Sequence, residues 1–155
     1  MYSAFILGSI TYAQSGITGT WTAISSDSLF TLSFVELNDG TIEGHFKKDI
    51  PNQNITVYDS SVFPIGLIFS DNNPKIDDNL RIVYSGSFQD LDVTTGNLGK
   101  NTNQFVLLHF KMVLENNSPQ TSATTAKFTL TKPQGLRKNP PVPIRFPSGL
   151  TFTKQ

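Results

Sequence analysis

The sequence predicts an all-β fold, a single antiparallel up-and-down β-barrel of about eight strands. Short segments of alternating polar and apolar residues recur along the chain, with clusters of turn-forming residues between them. No long segment of the sequence has the period of an amphipathic helix. Within residues 16–46, Asn38-Asp39-Gly40 joins two strand patterns, and these residues tolerate the positive φ of a tight hairpin turn.

The first three predicted strands cover residues 18–25, 29–37 and 41–47. Because side chains alternate along a strand, the apolar positions assign the buried face. The residues expected to point into the barrel are Phe30, Leu32, Phe34, Ile42, Gly44 and Phe46. The residues expected to point outward from the third strand are Glu43, His45 and Lys47.

The next part of the chain has weaker strand signals. Pro51 interrupts the ladder, and residues 55–58 form a weak strand. A more apolar strand is predicted at residues 62–69, where Pro64 confines it to an edge or a bulge. Residues 70–79 are predicted to form a polar loop.

Two strong alternating patterns follow, at residues 80–89 and 104–115, separated by a polar loop at 90–103. In the first of them Gly86 takes an inward position and marks a bend of the sheet. The other inward residues of the two strands are Leu80, Ile82, Tyr84, Phe88, Val106, Leu108, Phe110, Met112 and Leu114. His109 and Lys111 are expected to face solvent.

The last predicted strands cover residues 123–131 and 150–154, and the proline-rich residues 133–143 are excluded from a central strand. An eight-stranded barrel has an interior that side chains can fill or that can hold one small ligand. The phenylalanines at inward positions favour a filled interior. They are Phe30, Phe34, Phe46, Phe88, Phe110 and Phe128.

Length and composition limit the classes of function. The chain has 155 residues, which suits one domain, and its 12 basic and 12 acidic residues give a formal net charge of zero. Nucleic-acid-binding proteins usually have a basic excess, so no nucleic-acid partner is expected. Charged residues make up only 15% of the chain, which favours an extracellular or periplasmic protein. The chain has no cysteine, which excludes disulfides and thiolate metal sites.

The N-terminal residues have the pattern of a segment that directs export from the cell. Residues 3–10 are a short apolar run, and small and polar residues follow it at 11–15. This pattern predicts that residues 1–14 are the remnant of a bacterial secretory signal peptide and that residues 15–155 form the single barrel domain. The alternative interpretation is an ordinary first strand at residues 4–10. No apolar run reaches the length of a membrane span.

The opening strand carries a resemblance to known barrels. The segment Gly16-Ile17-Thr18-Gly19-Thr20-Trp21 resembles the first strand of avidin-like barrels, and lipocalins share its Gly-x-Trp element. The resemblance implies a barrel fold. It does not extend to biotin, because Trp21 is the only tryptophan and Ala23 stands where avidins carry an asparagine.

The whole-chain pattern is similar to a group of uncharacterised exported bacterial proteins. The similarity lies in the Gly-Thr-Trp strand, in a mid-chain strand at residues 84–90 and in the ending at residues 147–154, Pro-Ser-Gly-Leu-Thr-Phe-Thr-Lys. This resemblance implies export and a barrel fold, without an assigned activity.

Few side chains are candidates for a site. Trp21 is predicted to plug one end of the barrel, with contact to a ligand as the alternative. His45 and His109 are interpreted as solvated, although Glu43 and His45 share a face and form a conceivable metal pair. The loop with Asp71, Asp77 and Asp78 has oxygen ligands suited to calcium, but its spacing matches no known calcium loop.

No catalytic pattern emerges from the sequence. The sequence contains no serine-nucleophile, phosphate-loop or dinucleotide-binding motif, and paired carboxylates such as Asp90 and Asp92 are assigned to a loop. We therefore predict no enzyme activity, no catalytic or metal-binding residues and no cofactor. The expected function is a structural or interaction module with an unknown surface partner, and the alternative is a binder of a small apolar ligand inside the barrel.

Overall fold

The computed structural model describes residues 16–63, 65–91, 105–115, 123–132 and 146–155. These residues form ten strands and one short 3₁₀ turn at Pro51–Gln53. In chain order the strands are β1 (Gly19–Ser25), β2 (Ser28–Glu36), β3 (Thr41–Ile50), β4 (Ile55–Asp59), β5 (Leu67–Asp71), β6 (Lys75–Ile76), β7 (Ile82–Leu91), β8 (Phe105–Glu115), β9 (Thr125–Thr131) and β10 (Leu150–Lys154).

Eight of these strands close into an antiparallel barrel, as the sequence predicted. Around the wall the order is β1-β2-β3-β5-β7-β8-β9-β10, and β10 pairs again with β1. Each barrel strand therefore pairs with the next barrel strand along the chain, which is the up-and-down arrangement. Closure satisfies both edges of every wall strand, so the wall itself has no open edge.

Two short strands lie outside the closed wall. The long strand β3 pairs with β5 through residues 41–45 and with β4 through residues 47–50, with a register shift between Lys48 and Asp49. The weak strand signal at residues 55–58 therefore belongs to an extra strand beside β3. The other addition, β6, pairs with the start of β7, so the predicted loop at 70–79 contains the end of β5 and one short strand.

Neighbouring strands run in opposite directions, so every second strand of the barrel starts at the same end. β1, β3, β7 and β9 all start at one end, which we call the Trp21 end. The same strands finish at the opposite end, which we call the Asp90 end.

The alternating apolar residues fill the space inside the wall. All the inward positions assigned above from β2, β3 and β8 are buried. One assignment in the 80–89 strand was wrong: Leu80 is exposed and has a positive φ of 61°, because it lies in the turn before β7. Ile82, Tyr84 and Phe88 point inward as expected.

Gly86 takes its inward position because no larger residue fits there. A Cβ atom at Gly86 would overlap the Phe69 carbonyl of the neighbouring strand and would lie 2.9 Å from the Phe110 ring. The pairing of β5 with β7 keeps a continuous register from Gln89 to Gly86, its last paired residue. Gly86 therefore allows close approach of the β5 backbone without a bulge.

The predicted strand at residues 104–115 and the closing strand at 150–154 coincide with β8 and β10. Several other parts of the sequence analysis fall outside the described residues. They are the segment 1–14 assigned to a signal peptide, Pro64, Asp92 with most of the loop at 90–103, and residues 133–143.

Candidate functional site

The Trp21 end is closed by the residues just before β1. Trp21 is fully buried, and its indole N–H donates a hydrogen bond of 2.7 Å to the carbonyl oxygen of Ile17. Ile17 is also fully buried. This bond fixes the short segment before the strand against the first inward side chain of β1, so the chain folds across the barrel end. The roles of plug and of ligand contact for Trp21 both remain predictions.

A lysine from the last strand completes this end. The ammonium group of Lys154 lies 5.2 Å from the centroid of the Trp21 ring and donates a hydrogen bond of 3.1 Å to the Gly16 carbonyl oxygen. Its burial lowers the Lys154 pKa, because the charged form loses solvation. Burial likewise raises the pKa of the Tyr84 hydroxyl. The first and last described strands are therefore joined through a half-buried cation over an aromatic ring.

The middle of the barrel is occupied by phenylalanine rings. Phe46 is fully buried, and six aromatic rings lie with centroids within 5.6–6.2 Å of its own. These rings belong to Phe30, Tyr58, Phe88, Phe128, Phe146 and Phe152. Most of the pairs are edge-to-face or tilted, the geometries that aromatic rings prefer. Side chains from six strands therefore meet in the middle of the barrel.

The Asp90 end contains a buried acid that the sequence analysis missed. Asp90 is fully buried and belongs to β7, where the sequence analysis had placed a loop. It continues the inward alternation of Ile82, Tyr84, Gly86 and Phe88, so the two-residue period itself contained the signal. The polar character of residues 89 and 90 hid this continuation, because polar residues are typical of strand ends.

Tyr58 lies close to this acid. Its ring packs edge-to-face on Phe146 at 4.6 Å, and no hydrogen-bond partner for its hydroxyl lies within the part of the chain that the structure describes. Burial, together with the negative charge of Asp90, raises the pKa of the Tyr58 hydroxyl. Two buried polar groups, the Asp90 carboxyl and the Tyr58 hydroxyl, thus lie at this end, next to the aromatic cluster.

His45 is part of a hydrogen-bonded array on the outside of the barrel. Its Nε2 lies 2.9 Å from the Glu43 carboxylate, and its Nδ1 lies 3.1 Å from the Ser60 hydroxyl. The carboxylate can only accept, so Nε2 carries a proton, and in the neutral ring Nδ1 then accepts from the hydroxyl. The Ser60 oxygen in turn accepts from the Phe46 N–H at 3.0 Å. His45 therefore faces outward as predicted, but it is half-buried and hydrogen-bonded at both ring nitrogens instead of fully solvated.

This array has the order of groups that activates a serine nucleophile, carboxylate to imidazole to hydroxyl. Ser60, however, is buried, and its oxygen also accepts from the backbone. The array ties the turn after β4 to the third strand. Ser60 had no sequence signal, because the turn brings it to His45 from 15 residues away.

The remaining candidates are separated from one another. His109 is exposed on β8, and β5 and β7 lie between it and the strand of His45, so the two histidines do not meet. Asp77 binds the Arg81 guanidinium at 2.8 Å and accepts from two backbone N–H groups of its own turn. Among the described residues, no group of three acidic or histidine side chains is placed to hold a metal ion.

The outer wall has a shallow cleft between β5 and β7, with a volume of about 290 Å³. Its lining consists of Thr41, Phe69, Ser70, Asp71, Ser85, Gly86 and Ser87. Phe69 is 38% exposed although it lies in mid-strand. The serines opposite it are short, so they leave part of the Phe69 side chain exposed to solvent.

No family model, curated protein or solved structure matches this chain. Within the described part of the chain, no helix is long and apolar enough to cross a membrane.

Proposed function

We propose that this protein is an exported, non-enzymatic bacterial β-barrel that acts as a structural or interaction module through its outer surface. The observation that carries the proposal is the position of Phe46, fully buried at the axis and in contact with six other rings. In lipocalin-like and avidin-like barrels that bind ligands, the interior must leave room for the ligand. Here aromatic side chains occupy that position, which leaves the outer surface for partners.

The alternative function is the binding of a small apolar ligand inside the barrel, with Trp21 as a contact. The buried polar groups of Asp90 and Tyr58 favour this alternative, because ligand sites combine apolar walls with a few polar groups. Both functions predict a secreted or periplasmic protein. They differ in whether the native interior accepts a guest molecule.

A binding experiment with N-phenyl-1-naphthylamine distinguishes the two functions. We expect the wild-type protein to show no saturable binding of this apolar fluorescent probe, because Phe46 and its neighbours occupy the axis. The Phe46→Ala variant serves as a positive control, since removal of the ring opens an apolar cavity of the kind that binds benzene or xenon. We expect benzene to raise the melting temperature of that variant alone.

The milder Phe46→Leu variant replaces the control if the alanine variant does not fold. One-to-one binding of the probe by the wild-type protein, with a higher melting temperature, would establish the alternative. The Trp21→Phe variant then tests whether Trp21 lines the ligand site, because a contact residue changes the affinity for the probe.

A second experiment tests export. Gly16 and Ile17 are buried parts of the barrel end, so cleavage must occur before them to leave the fold intact. We expect protein isolated from its native host to lack residues 1–14, and intact-mass spectrometry measures this directly. A mature protein that retains Met1 and the apolar segment at 3–10 would contradict export by signal cleavage.

A further inference from the structure

The cleft on the outer wall has a floor of short side chains and one aromatic wall. Phe69 of β5 lies directly opposite Ser87 of β7, and Ser87 lies opposite His109 of β8. In the same way Ser85 lies opposite Lys111. Because strands are about 4.8 Å apart, the longer side chains on β5 and β8 stand roughly 10 Å from each other across the serines. This width accommodates one ring lying flat on the sheet.

Several polar side chains around this cleft are available to a ligand. The side chains of Asp71, Ser85, Ser87, His109 and Lys111 have no hydrogen-bond or ion-pair partner among the described residues. Two other polar residues of the lining are engaged: the Thr41 hydroxyl donates to Asp39, and the Ser70 hydroxyl donates to the Ser85 carbonyl oxygen. These donors and acceptors lie beside the exposed Phe69 side chain, where a ligand can reach both.

The chemistry of these groups selects the class of ligand. An apolar ligand would leave the hydroxyls without partners, which costs free energy. An anion would meet the Asp71 carboxylate, and a cation would meet Lys111. A neutral polyhydroxylated ring avoids both conflicts, because every hydroxyl is a donor and an acceptor. Its C–H face can pack on Phe69 while its hydroxyls reach the carboxylate, the serines and the ammonium group.

We propose that the cleft between Phe69 and the serines Ser85 and Ser87 binds a saccharide. The cleft lies open along the wall, so it accepts one or two sugar units of a longer polysaccharide. This inference rests on the proposed function, since it places the interaction on the outer surface. The proposed function is tested with Phe46 variants, whereas the saccharide site is tested with variants of the cleft residues. Each proposal can therefore fail without the other.

Affinity electrophoresis in native gels containing soluble polysaccharides tests the site. The gels contain hydroxyethyl cellulose, xylan, galactomannan or soluble starch, and N-acetylglucosamine oligomers are tested by calorimetry. We expect wild-type protein to bind at least one of these probes. Phe69→Ala is expected to weaken that binding about tenfold, the size of a lost aromatic contact. Ser87→Leu is expected to abolish it by filling the floor.

Ile24→Ala is the matched control, because Ile24 is 80% exposed and lies on β1, away from the cleft. It should bind the saccharide as well as the wild-type protein does. Thermal melts confirm that each variant is folded, which is expected because both cleft substitutions point to solvent. The site is refuted if none of the probes binds, or if Phe69→Ala and Ser87→Leu bind like the wild-type protein. Retention on a phenyl resin through Phe69, without saccharide binding, would identify a plain apolar patch and also overturn the proposal.

Discussion

Phe110→Asp is expected to unfold the protein, whereas His109→Asp one residue away leaves it folded. Phe110 is 1% exposed and stacks on Phe128 with ring centroids 6.1 Å apart. The aspartate would place an unpaired charge among these rings, and a buried charge without a partner is very costly. His109 points away from the barrel, where surface substitutions usually change stability by no more than about 0.5 kcal/mol.

Circular dichroism and thermal melts of the two variants measure this contrast. The wild-type strand signal should disappear in Phe110→Asp and should remain in His109→Asp, with a melting temperature close to that of the wild-type protein. Equal damage from both substitutions would mean that β8 is buried on both faces. A closed barrel with one face in solvent would then have to be replaced by a layered fold.

This prediction follows from the apolar residues at every second position of β8, a pattern that is uninterrupted in the sequence. Val106, Leu108, Phe110, Met112 and Leu114 all point inward. Long alternating patterns specify register strongly, because a slip of one residue would turn every apolar side chain to solvent. The fold class and most of the core were therefore predictable from local pattern alone.

The buried polar groups of the Asp90 end could not be predicted from the local pattern. The acid at position 90 satisfies the two-residue period, but its polarity indicates a strand end, and the local sequence cannot decide between the two. Tyr58 belongs to β4, which pairs with the end of β3 outside the closed wall, so its contact with Phe146 depends on tertiary structure. Burial of an acid depends on surroundings that come from distant parts of the chain.

The cleft on the outer surface could not be predicted from the local sequence either. Phe69, Ser87 and His109 are separated by 18 or more positions in the sequence, and only the pairing of β5, β7 and β8 places them in one row. Each residue alone is unremarkable for an exposed strand position. The cleft therefore had no sequence signal.

Trp21→Ala is expected to lower the free energy of unfolding by about 3–5 kcal/mol, as for other large aromatic residues removed from a core. Trp21 is fully buried, and its loss also removes the hydrogen bond to Ile17 and the ring beneath the Lys154 ammonium group. A small domain has only about 5–15 kcal/mol of stability in total, so this loss is a large part of it. The corresponding fall in melting temperature is roughly 10 °C.

Trp21→Phe is the matched control, because it keeps an aromatic ring and removes the indole N–H. It should cost less than the alanine substitution, about 1–3 kcal/mol, since the Ile17 carbonyl loses its donor in a buried place. Urea denaturation of the three proteins gives both differences. A free energy of unfolding unchanged in Trp21→Ala would contradict the role of Trp21 as a plug, because the barrel end would then be held without it. An intermediate value for Trp21→Phe would separate the contribution of the hydrogen bond from that of the packed ring.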